Sequence, residues 1–206
     1  MKRVTVVIVI LLMLGSSLFA QDSYIGGAVG LEYGKSSVKL EGLSEYSPEA
    51  TGIGVNLSVT GATYFGNSSL WGVGYTFGLT KAILIKSEGV SQDVSDHPLA
   101  IGFSVKGQRR FAVNNRFNFH LGVGSSLAFT SKSESGVTAT NNVYSIIVDG
   151  LAAYKMSDAM SVGVGISAGI PVYSNYVLKG GGGSVNLDVD VKGFSIMPYV
   201  GILYNY

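Results

Sequence analysis

The sequence predicts an all-β chain of eight antiparallel strands in an up-and-down meander that closes on itself. Three observations carry that prediction. Apolar side chains alternate with small or polar ones at period two over most of residues 24–206, the mark of strands with two unlike faces. Connections between the strands alternate between short and long. No stretch of the exported chain shows the spacing of an amphipathic helix.

Composition bounds the class. The chain has 206 residues, 29 of them Gly and only 4 Pro, with no Cys and a formal net charge of +1. Charged residues make up 13%, about half the usual share of roughly 25%. Mean hydropathy is nevertheless positive, which suits lipid contact. Near-neutral charge offers nucleic acid no electrostatic footprint. Without Cys there is no disulfide and no cysteine-linked lipid anchor.

The first segment stands outside the fold. Lys2 and Arg3 precede an apolar run from Val4 to Leu14, and small residues lead to Ala20 before Gln21 and Asp22. This reads as a secretory signal peptide over 1–20, with the barrel over 21–206. The run is too short to cross a bilayer, which needs about 20 residues.

The strands follow in order. Residues 24–34 set Ile25, Val29, Leu31 and Tyr33 against Gly26, Ala28, Gly30 and Glu32. Residues 52–65 set Ile53, Val55, Leu57, Val59 and Phe65 against Gly52, Gly54, Asn56, Ser58, Thr60 and Ala62. Residues 70–85 give Trp71, Val73, Tyr75, Phe77, Leu79, Ile83 and Ile85 on one face, with Gly72, Gly74, Thr76, Gly78, Thr80 and Ala82 opposite. Residues 99–111 oppose Ile101, Phe103, Val105 and Phe111 to Ser104, Lys106, Gln108 and Arg110. Residues 117–130 oppose Phe117, Phe119, Leu121, Val123, Leu127 and Phe129 to Asn118, His120, Gly122, Gly124 and Ser126. Residues 143–155 are less regular, because Ile147 and Leu151 fall with the polar set of Ser145, Asp149 and Lys155. Residues 160–173 restore the alternation. In the last strand Phe194, Ile196, Val200, Ile202, Tyr204 and Tyr206 share one parity.

The short turns lie at 66–69, 112–116 and 157–159, and the long polar loops are expected at 35–51, 86–98, 131–142 and 174–191. They occupy opposite ends of the meander, with both termini at the short-turn end. "GVG" recurs at 72–74, 122–124 and 163–165, each time just after a short turn, which marks successive hairpins.

Size decides which face is outside. Eight strands enclose room for modest side chains only. The Gly, Ala, Ser and Thr face fits inside; the Trp, Phe, Tyr, Ile and Leu face does not. It therefore faces lipid, where an open sheet edge would leave backbone groups unpaired at several kcal/mol each, so the sheet closes. Strands of about 9–11 residues suffice to cross. Phe65, Trp71, Phe111, Phe117, Phe119, Tyr154, Tyr204 and Tyr206 gather near the short turns, and Tyr33, Phe129, Tyr144 and Phe194 near the long loops. Two aromatic belts around an aliphatic band form the girdle of a membrane barrel.

With these residues in view the chain resembles the small eight-stranded outer-membrane barrels of diderm bacteria, such as OmpX, OmpW and the membrane domain of OmpA. The terminal "YVGILYNY" is the most specific match. The resemblance implies an outer-membrane location and a tail, Val200, Ile202, Tyr204 and Tyr206, read by the barrel assembly machinery as an insertion signal. The subfamily stays open: OmpW-like members have a hydrophobic lumen, whereas this inner face reads as small and polar.

Inward charges are few: Glu32, Lys106, Arg110, Asp149 and Lys155, with His120. A buried charge needs a partner or water, so these residues are read as a lumen network centred on Lys106–Asp149, or as a gate in a narrow passage. The inward glycines either make room for Tyr24, Tyr64, Tyr199, Arg110 and Lys155 or leave a wet cavity. No catalytic set is expected. His120 lies at the short-turn end, and His97 sits in a loop beside Ser95 and Asp96 without a recognisable motif. Two separated histidines and no Cys predict neither metal nor cofactor. The expected role is non-enzymatic, either a structural barrel or a porin-like narrow passage for small solutes. The alternative is an adhesin-like cell-envelope protein whose surface loops bind a host or envelope ligand. The outer-membrane lipid is a partner in either case.

Overall fold

The computed structural model describes residues 23–40, 48–66 and 70–206. The signal peptide expected over 1–20, part of the first long loop and the turn at 67–69 lie outside them. Nine strands run in sequence: β1 Tyr24–Leu40, β2 Glu49–Phe65, β3 Trp71–Ser87, β4 Val90–Gln92, β5 Ala100–Ala112, β6 Phe117–Glu134, β7 Val137–Lys155, β8 Met160–Gly180 and β9 Gly183–Asn205. All pairings are antiparallel. Each long strand pairs with its neighbours along the chain, β9 pairs with β1, and β2 with β3, so eight long strands close a ring. Closure is completed at the short-turn end, where Ser23 N donates to Tyr206 O and Tyr206 N to Ser23 O, both at 2.9 Å. Three-residue β4 pairs only with the upper part of β3.

The faces divide by size. Trp71, Phe77, Leu57, Val123, Val164 and Ile202 point outward and are 50–62% exposed. The aromatics meet in pairs at the two rims: Phe111 with Phe119, centroids 6.4 Å apart, near the short turns, and Tyr33 with Phe194 at 6.1 Å and Tyr144 with Tyr173 at 5.6 Å near the other end. From Phe117 to Phe129, twelve steps along β6, the height at about 3.3 Å per residue and a tilt near 40° is about 30 Å, matching the apolar thickness of a bilayer.

Three expectations need correction. First, the strands span 13–23 residues apart from β4, well beyond what crossing requires. The stretches expected as loops at 131–142 and 174–191 are strand, and so is much of 35–51. Their Ser, Thr, Val and Asn residues continue the ladder with polar side chains on the lipid-free part. Ser131–Thr140 and Ser133–Thr138 hydroxyl pairs lie at 3.2 and 2.8 Å across it. Two-residue tips close the β6–β7 and β8–β9 hairpins, and also β3–β4: Ser135–Gly136, Gly181–Gly182 and Glu88–Gly89 all have positive φ, the geometry that matches the twist of a tight hairpin. Beyond its tip at 88–89, only 93–98 remains irregular in the segment expected as the loop 86–98.

Second, Ile83 and Ile85 do not share the outward face. Ile53 pairs with Leu84 but Gly54 pairs with Ala82, so Ile83 is a bulge. Beyond it the parity reverses, Leu84 faces out and Ile85 lines the lumen. An inserted residue shifts every later side chain to the other face, which alternation alone does not reveal.

Third, the inner face is not uniformly small and polar. Tyr24, Tyr64, Leu151 and Leu203 are 4% exposed or less and pack together inside the ring with Ala62 and Ala153.

Candidate functional site

The lumen holds three tiers. The lowest is a plug near the short-turn end. Tyr64 and Gln108 are fully buried, with Leu151 and Leu203 at 2%. The Tyr64 hydroxyl is hydrogen-bonded to His120 Nδ1, and His120 stands edge-on to Tyr24 with centroids 5.5 Å apart. Gln108 Nε2 donates to the Tyr24 hydroxyl at 3.4 Å. The Arg110 guanidinium lies 5.3 Å from the centre of the Tyr64 ring. Below this layer a cavity of about 180 Å³ opens among Arg110, Asn118, Lys155, Asp158 and Asn205.

The middle tier is an ion pair. Lys106 Nζ reaches Asp149 Oδ1 at 2.6 Å, with both side chains 4% exposed or less. The Tyr199 hydroxyl donates to the other oxygen, Oδ2, at 3.0 Å. Two buried charges in a low-dielectric interior need each other and further hydrogen bonds to offset lost hydration, and Tyr199 supplies one of those bonds.

Above the pair the lumen widens. A cavity of about 220 Å³ is lined by Glu32, Asn56, Thr80, Ser104, Lys106 and Asp149, among others. A second, of about 230 Å³, continues toward the hairpins past Ile85, His97 and Thr130. Glu32 accepts from Thr80 Oγ1 at 3.2 Å, apart from the ion pair.

The structure therefore brings Lys106 and Asp149 together, and Arg110 with His120 around Tyr64. Glu32 stands alone higher up. Lys155 lines the lower cavity and pairs with Asp158 of the adjacent turn at 3.0 Å. Sequence parity put Tyr64, Gln108 and Tyr199 on the inner face without their partners. Register decides those, since a lumen contact joins strands far apart in sequence. His97 packs into the outer segment: its carbonyl accepts from Lys81 Nζ at 2.6 Å, and Asp93 Oδ1 caps Ser95 N at 2.9 Å. Among the described residues no three acidic, His or Cys side chains converge.

No family model matches the chain, and no curated protein sequence does either. Solved structures do match. The outer membrane protein OprG of Pseudomonas aeruginosa aligns over 91% of this chain and 96% of its own, with TM-score 0.63 at 16% identity. This chain has the outer-membrane β-barrel fold. Neisserial surface protein A covers 87% of this chain and 97% of its own, with TM-score 0.55 at 11% identity. The outer membrane protein AlkL, determined in DMPC bilayers, covers 91% and 90%, with TM-score 0.53 at 12% identity. At such identities the likeness concerns the fold. Membrane residence follows from the physics of the exterior: closed barrels of this kind, with an apolar band between aromatic girdles, span the bacterial outer membrane.

Proposed function

We propose that the chain is a non-enzymatic outer-membrane barrel with a sealed lumen, which acts by presenting its open outer cup and tall hairpins at the cell surface. The plug carries this reading: Tyr64, Gln108, Leu151 and Leu203 fill the cross-section between the outer cavities and the inner one. The hairpins support it. About seven residues of β7 and β8 rise past the upper girdle, roughly 23 Å of strand, β9 rises with them, and Val137, Val185 and Leu187 are exposed beyond the membrane. Exposed apolar groups on a rigid scaffold suit contact with a partner. The termini then lie in the periplasm, and Val200, Ile202 and Tyr204 on the lipid face of β9, with Tyr206 just past its end, form the insertion signal for the assembly machinery.

A narrow passage for small solutes is the second reading, favoured by the cavities of about 220 and 180 Å³ on either side of the plug. Conductance of the refolded protein in planar bilayers separates the two. The sealed barrel is silent. Discrete openings altered by Lys106→Met or Asp149→Asn would establish the passage instead.

A further inference from the structure

Glu32 differs from the other lumen charges. Among the described residues no cation stands within ion-pair distance of it: Lys35 pairs with Glu49 and Lys106 with Asp149. Its hydrogen-bond partner is Thr80, whose Oγ1 donates at 3.2 Å. Thr80 in turn accepts from Asn56 Nδ2 at 2.9 Å. Asn56 is only 8% exposed, and its Oδ1 accepts no hydrogen bond. All three residues line the 220 Å³ cavity.

The direction of these bonds matters. The relay runs from Asn56 through Thr80 to Glu32; it uses the one hydroxyl hydrogen of Thr80 and one of the two amide hydrogens of Asn56, and leaves Glu32 Oε1 and Asn56 Oδ1 as open acceptors. The formal charges around the cavity are Glu32, Asp149 and Lys106, so its lining is net negative. A partly desolvated carboxylate and an unpaired amide oxygen are each costly alone. Both are relieved by one ligand that is positive and carries several N–H donors. Ala28, Ala100 and Ile147 line the same cavity and offer an apolar surface beside the acceptors. A hard metal ion fits less well, because Ca²⁺ seeks six to eight oxygen ligands.

We infer that the outer cup binds a small organic cation, a primary alkylammonium whose head donates to Glu32 and Asn56 and whose short chain lies against Ala28, Ala100 and Ile147. The inference rests on the proposed function for access from the outer side.

The test uses the refolded protein in lipid nanodiscs, isotopically labelled, with propylammonium as the probe and the Asn56 side-chain amide as the reporter. A saturable shift is expected with propylammonium and none with propionate. Glu32→Gln, which keeps the Thr80 bond and removes the charge, is expected to weaken the response about tenfold or more, a step of about 1.4 kcal/mol. Thr80→Val, which breaks the relay and keeps the carboxylate, also weakens it. Folding of each variant is checked by its unheated gel mobility. No saturable shift, an equal response to propionate, or undiminished binding by both variants overturns the assignment. The same shift with potassium alone overturns the organic class. Bilayer conductance is read separately. A conducting barrel that still binds propylammonium refutes the sealed lumen and leaves the site standing. A silent barrel without binding does the reverse.

Discussion

Lys106 Nζ lies 2.6 Å from Asp149 Oδ1 although strand β6 stands between β5 and β7. The lysine crosses because β6 is bare there. A Cβ at Gly124 would lie 2.0 Å from Val105 O and 2.8 Å from Lys106 Cβ, and one at Gly122 would lie 3.0 Å from Lys106 Cδ. The other "GVG" copies do similar work: a Cβ at Gly72 would meet Tyr64 Cδ1 at 2.9 Å, and one at Gly165 would meet Tyr199 Cζ at 2.3 Å. The repeat provides a floor on which long inward side chains lie.

Removing one partner of the pair leaves a buried charge uncompensated. Asp149→Asn is expected to cost about 3–5 kcal/mol, while Lys106→Met with Asp149→Leu recovers most of that loss. The urea midpoint in detergent measures both. A single variant as stable as the parent would show that the pair is not needed for stability.

Gly124→Ala forces a methyl against backbone and is expected to destabilise by about 1–3 kcal/mol or to block folding. Gly27 faces outward with nothing within 4 Å of a Cβ, so Gly27→Ala serves as the neutral comparison. Equal refolding yields for the two variants would contradict the floor.

Opening the plug should open the barrel. Tyr64→Ala with Leu151→Ala removes two of its largest side chains, and single-channel recording is expected to change from silence to discrete steps. Persistent silence in a folded double variant would place the seal elsewhere.

The hairpin tips depend on φ near +80° at Gly89 and Gly136 and +84° at Gly182, where a side chain is strained. Gly136→Val is expected to loosen the β6–β7 tip and leave the membrane part intact. Amide exchange then rises at 131–140 and not at 119–129; faster exchange along the whole strand would contradict this separation.

His97 provides a pH marker. Burial first, and then Lys81 and Lys132, hold its imidazole below the ordinary value of 6.5. Proton binding is thus weaker in the folded state. The contribution is present above the ordinary value and lost as pH falls through the folded one. An NMR titration should find the midpoint below 6.5, moving upward in Lys132→Met. A midpoint at or above 6.5 in the parent would contradict the burial.

Much of the architecture is legible in the residues. Trp71, Phe77 and Val123 stand on the large face and Gly72, Gly78 and Gly122 on the small one, and volume alone says which set an eight-stranded ring can enclose. Lys106, Asp149 and Tyr199 are identifiable as inward by parity. Their meeting is not, because it depends on the stagger between strands. Nor is the bulge at Ile83, since Lys81 on the apolar parity and Leu84 on the small one disturb the alternation without marking which residue is extra.

By itself, then, the order of amino acids determined the number of long strands, closure, which face meets lipid and which charges share the inner parity, because period and side-chain size are local properties. Only the tertiary structure decided which inward groups touch, where the lumen is blocked, and that Glu32 remains beside an unpaired amide oxygen. Those contacts join strands distant in sequence, and shear and bulges bring them into line.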